Sequence, residues 1–175
     1  MSDGGATQNP AHDPGREHAG IARFRAAHAA AGGTGEIVVL PESVHTAALA
    51  AEALGCEVGA IANSLVFDAQ DGEGGGTPVL ILTSGGHRVN TKATAERIGA
   101  EKLGRADADF VRRHTGQVIG GVSPIAHTNQ VPTYLDVALR RFDPIWAAAG
   151  HPAAVFSTTY DELLAMTGAT EIEVE

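Results

Sequence analysis

The chain contains a single cysteine, Cys56, so neither an internal disulfide framework nor a cysteine-rich zinc site is available to it. Aromatic residues make up only 5% of its 175 residues, which leaves Val, Leu, Ile and Ala to build the core. No apolar run reaches the ~18 residues that a membrane span needs. The stretch from Met1 to Gly20 is polar, without the apolar segment of a secretory leader. A cytoplasmic protein with no membrane partner is the expectation. Positive charge is scarce too, with 12 Lys and Arg against 21 Asp and Glu and a formal net charge of −9. General DNA binding is excluded, because its affinity comes from cations that neutralise phosphates.

What is present describes a globular chain. A hydrophobic fraction of 43% with 19% charged residues is enough for a packed core, and a domain of this size buries roughly two-thirds of its unfolded surface. Residues 1–15, rich in Gly, Pro, Asp and Asn, read as a disordered lead, and 16–175 as a single domain in which 16–33 supplies an accessory helix. Most basic residues lie mid-chain, at Arg88, Lys92, Arg97, Lys102, Arg105, Arg112, Arg113, Arg140 and Arg141. That clustering fits either a solvated mixed-charge surface or a local positive face for an RNA end or a nucleotide.

Periodicity and punctuation predict the elements. A helix covers Arg16 to Ala31 and stops at Gly32-Gly33, and Glu36 to Leu40 is a short strand ended by Pro41. Ser43 or Val44 opens the helix HTAALAAEALG, with Gly55 as its stop. Glu57 to Asp68 and PVLILTS are two strands joined by DGEGGGT, a hairpin with a long tip. Helices follow over Thr91 to Gly99 and from the N-cap Asp107 to His114. Strand-like pieces stand around Val118-Ile119, Val131 to Leu135 and Ala153 to Phe156, with a helical turn over Val137 to Arg141. Thr159 to Glu162 is a capping box that launches a helix to Met166, and Thr170 to Val174 closes the chain as a strand. Strands and helices do not alternate regularly, so the expected class is α+β, with a mixed-sheet, β-barrel-like core and surrounding helices.

Few motifs carry chemistry. Gly72 to Gly76 lacks the Gly-Lys-Ser/Thr and the following helix of a phosphate-binding loop. Gly121-Val122-Ser123-Pro124-Ile125 lacks the final glycine of a nucleophile elbow, and Pro124 obstructs the helix that would follow. Cys56 stands beside Glu57, whose charge opposes thiolate formation. The eight histidines show no metal-ligand spacing, so no metal and no cofactor are expected. Two features remain. Gly120-Gly121-Val122-Ser123-Pro124 is either an ordinary turn or a place where a ligand meets the backbone closely, with His127 just beyond it. Asn63-Ser64 are polar residues in an otherwise apolar strand, either its solvent face or part of a site.

Four segments in this order, HTAALAAEALG into EVGAIANSLVF, PVLILTSGGHRVNTKATAERIG, the GGVSP turn and the TTYDELLAMTG close, resemble the YbaK/prolyl-tRNA-synthetase-associated editing-domain family from about Val44 onward. The Gly-x-x-x-Pro signature of that family is matched by Gly120 to Pro124. The resemblance implies a metal-independent, free-standing aminoacyl-tRNA deacylase. Such a protein hydrolyses the ester of mischarged tRNA and takes as partners a tRNA 3′ end carrying a small amino acid and an aminoacyl-tRNA synthetase. It also implies that the glycine turn holds the aminoacyl group, and it departs from this chain at one position. The family strand reads I-x-K-S/T-L, whereas this chain reads Ile61-Ala62-Asn63-Ser64-Leu65, so Asn63 stands where a lysine is usual. Asparagine orients a water or a carbonyl but brings no charge to an oxyanion. The expected catalytic set is Asn63, Gly120, Gly121 and His127. Substrate binding is expected from Val44, Ala47, Ile61 and Ser64, with Arg88, Lys92, Val122, Ser123 and Pro124. The alternative is a non-catalytic module of the same fold that binds a tRNA end or a nucleotide.

Overall fold

The computed structural model describes residues 17–175, so the predicted disordered lead lies outside the described residues. Five helices, α1 (Ala19–Ala30), α2 (Ala47–Leu54), α3 (Thr91–Ile98), α4 (Ala108–Thr115) and α5 (Tyr160–Thr167), surround one mixed sheet. Its strands are β1 (Ile37–Val39), β2 (Ile61–Gln70), β3 (Gly76–Ser84), β4 (Lys102–Arg105), β5 (Thr133–Asp136), β6 (Ile145–Ala148), β7 (Ala154–Thr158) and β8 (Thr170–Ile172). The sheet order is β1-β7-β6-β2-β3-β5-β8, with β4 added to β2. Its two ends, β1 and β8, do not pair, so the mixed sheet stays open there.

Local chemistry explains the helix boundaries. Thr46, Asn90, Asp107 and Thr159 each accept a backbone N–H of the first turn, at 2.8–3.2 Å. Gly55, Gly99, Gly116 and Gly168 then end the same four helices in the left-handed conformation. Because Thr46 is the cap, α2 begins three residues later than Val44. Val44 belongs instead to a turn, donating its N–H to Pro41 O at 2.9 Å. The capping box at α5 is half made. Glu162 N–H reaches Thr159 Oγ1, but the Glu162 carboxylate turns away to hold Thr34 N and Oγ1 at 3.1 and 3.0 Å.

The hairpin of β2 and β3 is the spine, paired from Ala62↔Ser84 to Gln70↔Gly76. Alternation along β3 feeds two clusters. Leu80 and Leu82 pack with Leu135, Leu139, Phe156 and Leu163. Val79 and Ile81 pack with Ala95, Leu103 and Val174. The accessory helix joins the first cluster through Ile21 and Phe24, whose ring lies 4.6 Å from Phe156.

Three local expectations are corrected. Val58 to Ala60 form a 3-10 turn before β2. Val118 and Ile119 form no strand, since no neighbouring strand accepts them and both are exposed. Strands β4 and β6, four residues each, were not foreseen. They are too short to show a period, and pairing, of β4 with β2 and of β6 with β7 and β2, is what makes them strands.

Candidate active site

Along one edge β2 keeps a single partner, but along the other its partner changes. There β6 pairs with Ile61 and Ala62, and β4 pairs only from Phe67 to Gln70. Asn63, Ser64, Leu65 and Val66 therefore have no strand beside them on that edge, and they floor a cleft of about 570 Å³. Ser64 Oγ is buried and has no hydrogen-bond partner among the protein groups. Such a hydroxyl is costly until something completes its bonding.

The wall is apolar and largely small. Val44 and Ala47 come from the entry to α2, Ile61 from β2, and Trp146 with Ala147 from β6. Val111, Gly120 and Val122 come from α4 and the loop after it. Seven of the sequence-predicted residues thus meet here: Val44, Ala47, Ile61, Asn63, Ser64, Gly120 and Val122. Of the lining residues that were not predicted, Val111, Trp146 and Ala147 among them, one is ionisable. His45 stands on this wall, and its Nδ1 lies 2.7 Å from Ser43 O. A carbonyl can only accept, so Nδ1 carries a proton, and in the neutral ring Nε2 is left as an acceptor. An isolated histidine in a loop gives no sequence signal; only the cleft singles it out.

The remaining predicted residues stand elsewhere. Gly121 is buried behind the wall, where a Cβ would come within 2.7 Å of Pro152 N. Its N–H is engaged with Val118 O at 3.0 Å, so it is not free to grip a ligand. Ser123 is fully buried, donating its N–H to Gln117 Oε1 at 2.8 Å. Pro124 and His127 line a separate recess of about 320 Å³. His127 Nε2 donates to Ser123 O at 2.7 Å, and burial pushes its pKa below the ordinary histidine value against that bond. It is thus a neutral brace of the glycine turn, away from the cleft wall. Arg88, in the loop before α3, and Lys92, in the first turn of α3, are exposed and outside the cleft, with Arg88 N facing the Glu175 carboxylate at 3.4 Å. Among the described residues no Lys or Arg lines the cleft, so nothing there replaces the missing lysine's charge. Nor do the described residues contain a group of three or more His, Cys, Asp or Glu placed to hold a metal ion.

Comparison with known proteins gives a direct match to one family. Residues 41–166 fit the model of the aminoacyl-tRNA editing domain. The chain belongs to the aminoacyl-tRNA editing domain family. A curated relative, the uncharacterized protein YwhH of Bacillus subtilis, is 30% identical over 73% of this chain and 78% of its own. Another, EbsC of Enterococcus faecalis, is named as a candidate Cys-tRNA(Pro)/Cys-tRNA(Cys) deacylase. It is 29% identical over 71% of this chain and 73% of its own. A solved structure described as a candidate trans-editing enzyme for prolyl tRNA synthetase superposes with a TM-score of 0.83. It shares 38% identity and covers 91% of this chain and 99% of that one. Membership of the editing-domain family supports a deacylase-type role, and the mixed sheet with its helices is the fold of these trans-editing structures. No described helix is long and apolar enough to cross a membrane.

Proposed function

We propose that this chain is a free-standing deacylase that removes a small, wrongly attached amino acid from the 3′-terminal ribose of tRNA. The observation that carries the reading is the cleft itself, which sets a polar, unpaired strand edge and Gly120 against a wall of small apolar side chains. An ester needs its carbonyl held, a water aimed and the side chain accommodated, and these three tasks divide among the lining residues. Gly120 lets the aminoacyl group approach the loop backbone. Asn63 and Ser64 orient the water and the carbonyl through their amide and hydroxyl. His45 Nε2, the free imidazole nitrogen on the wall, accepts the water's proton. Val44, Ala47, Ile61 and Val122 bound the amino-acid side chain. One methylene in such a pocket is worth only ~1–3 kcal/mol, so a few small residues share the site.

The rest of the tRNA meets the outside of the cleft. Arg112 and Arg113 are exposed on α4, the helix whose Val111 lines the cleft, and they suit the phosphates of an acceptor end. Arg140 is less free, because it pairs with Glu171 and lies over the Tyr160 ring at 4.8 Å. A prolyl-tRNA synthetase is the proposed upstream partner, on the strength of the trans-editing relative.

The test is deacylation of tRNA carrying alanine, serine, cysteine, threonine or proline, with wild type and His45→Gln compared. Wild type is expected to release at least one small amino acid. His45→Gln is expected to lower kcat by about 10²-fold, the lower range for loss of a general base. Intact esters across the whole panel would overturn the reading.

A further inference from the structure

The glycine turn that borders the cleft has a buried hub. Gln117 follows the left-handed Gly116 that ends α4, and its side chain reaches across the loop it begins. Its Oε1 accepts from Ser123 N at 2.8 Å and lies 3.0 Å from Ser123 Oγ. Its Nε2 donates to Ile125 O at 3.1 Å and to Ala126 O at 3.2 Å. The amide orientation is dictated by these partners, since Ser123 N–H can only donate and the two carbonyls can only accept. Both N–H donors and the carbonyl oxygen of the amide are therefore engaged, the single hydrogen of Ser123 Oγ has a closer acceptor in Ile125 O at 2.5 Å, and Gln117 is 8% exposed.

The bonds fall where the chain is least willing to stay. Ala126 has φ of +67°, the one positive φ on a non-glycine residue among the described residues. That conformation is disfavoured for a residue with a Cβ and persists only when its surroundings impose it. Gln117 Nε2 grips the carbonyls of the two peptide units that flank Ala126, and His127 Nε2 grips Ser123 O at 2.7 Å. Both feet of the 118–122 segment are thus held, and Ile119, Gly120 and Val122 line the cleft from it. Gln117 does not line the cleft, and faces a separate recess of about 160 Å³ instead.

We propose that Gln117 is the positioning residue of the site, which sets the geometry of the Gly120–Pro124 turn for ester cleavage. This rests on the deacylase reading above. The role belongs to the amide in particular, because the feet of the turn need one acceptor, for Ser123 N–H, and two donors, for Ile125 O and Ala126 O, from one side chain. A carboxylate of the same shape keeps the acceptors but presents negative charge to Ile125 O and Ala126 O. Protonating that carboxyl restores one donor.

The experiment compares wild type, Gln117→Glu and Ser123→Ala in two readouts, kcat and KM for the mischarged tRNA across pH, and amide hydrogen exchange over 118–126. Gln117→Glu is expected to lower kcat at neutral pH by about tenfold or more, the scale of one lost buried hydrogen bond or two, with KM within twofold. Its kcat relative to wild type should recover as pH falls through the titration of the new carboxyl, which a generally destabilised protein would not do. Exchange at Ser123 should be faster by a similar factor at neutral pH and slow again in acid. Ser123→Ala, which keeps the Gln117 bonds to Ile125 O and Ala126 O, should lose less than Gln117→Glu in both readouts. Wild-type kcat and exchange in Gln117→Glu at neutral pH would overturn the proposal, as would a kcat loss with no acid recovery. A wild type inert on every ester would instead remove the deacylase reading, and unchanged exchange would then remove the hub as well.

Discussion

The two sides of the cleft are built on opposite principles. On the turn side, from Gln117 to His127, the polar groups are spent on one another. Gln117 uses its whole amide, Ser123 is fully buried within the network, and His127 braces the Ser123 carbonyl. On the floor, from Asn63 to Val66, hydrogen-bonding capacity is left over. One strand edge has no neighbour, and Ser64 Oγ has no protein partner. A site needs both kinds of surface, because a wall without spare polar groups holds its shape and a floor with spare ones can bind. The contrast separates groups that serve folding from groups that serve the ligand.

That separation is open to test, and the largest effect belongs to the floor. Asn63→Ala should lower kcat/KM by about 10²-fold, the cost of one stabilising donor at a reacting carbonyl, with the urea midpoint unchanged. A parallel fall in stability would make Asn63 a structural residue and blur the contrast. On the turn, Gly121→Ala places a methyl against Pro152 N and His151 C, at 2.7 and 2.8 Å. Overpacking of that kind costs ~1–3 kcal/mol, read by urea denaturation, and a wild-type midpoint would show that the turn yields.

The two serines give the sharpest pairing. Ser123→Ala removes a bonded hydroxyl and should destabilise by about 1 kcal/mol. Ser64→Ala removes an unpartnered one and should leave stability unchanged or raised, while still slowing deacylation. Equal stability losses from both would break the comparison.

The smallest effect is acid sensitivity. His127 is held below its ordinary pKa by burial, so on acidification the unfolded chain takes up its proton first. The stability it contributes is complete above the unfolded value of about 6.5 and is lost as pH falls toward the depressed folded value. His151, lowered by burial and by His18, adds to the same slope. His127→Gln should flatten part of the loss between neutral and mildly acidic pH in a thermal melt series, and an unchanged slope would remove His127 from it.

Much of the fold was legible because its signals are local. Thr46, Asn90, Asp107 and Thr159 cap helices, left-handed glycines end them, and DGEGGGT joins β2 to β3. Thr46 also shows the limit. Its hydroxyl, and not the apolar pattern from Ser43 or Val44, decides where α2 starts. The site was legible in part for the same reason. Asn63 and Ser64 stood out as polar residues in an apolar strand, and Gly120 to Pro124 as a punctuated turn. His45 and Gln117 carry no local signal, and nearness in sequence to the glycine turn does not bring His127 to the cleft.

The sequence by itself determined the class of fold, most helices, the hairpin spine and the family, because capping, turn chemistry and periodicity act over a few residues. Only the tertiary structure decided that β2 loses its neighbour between Ala62 and Phe67, that His45 reaches the cleft, and that Gln117 spans a loop from beneath. Each depends on which distant strand or carbonyl arrives beside a residue, and that follows from burying the whole core at once.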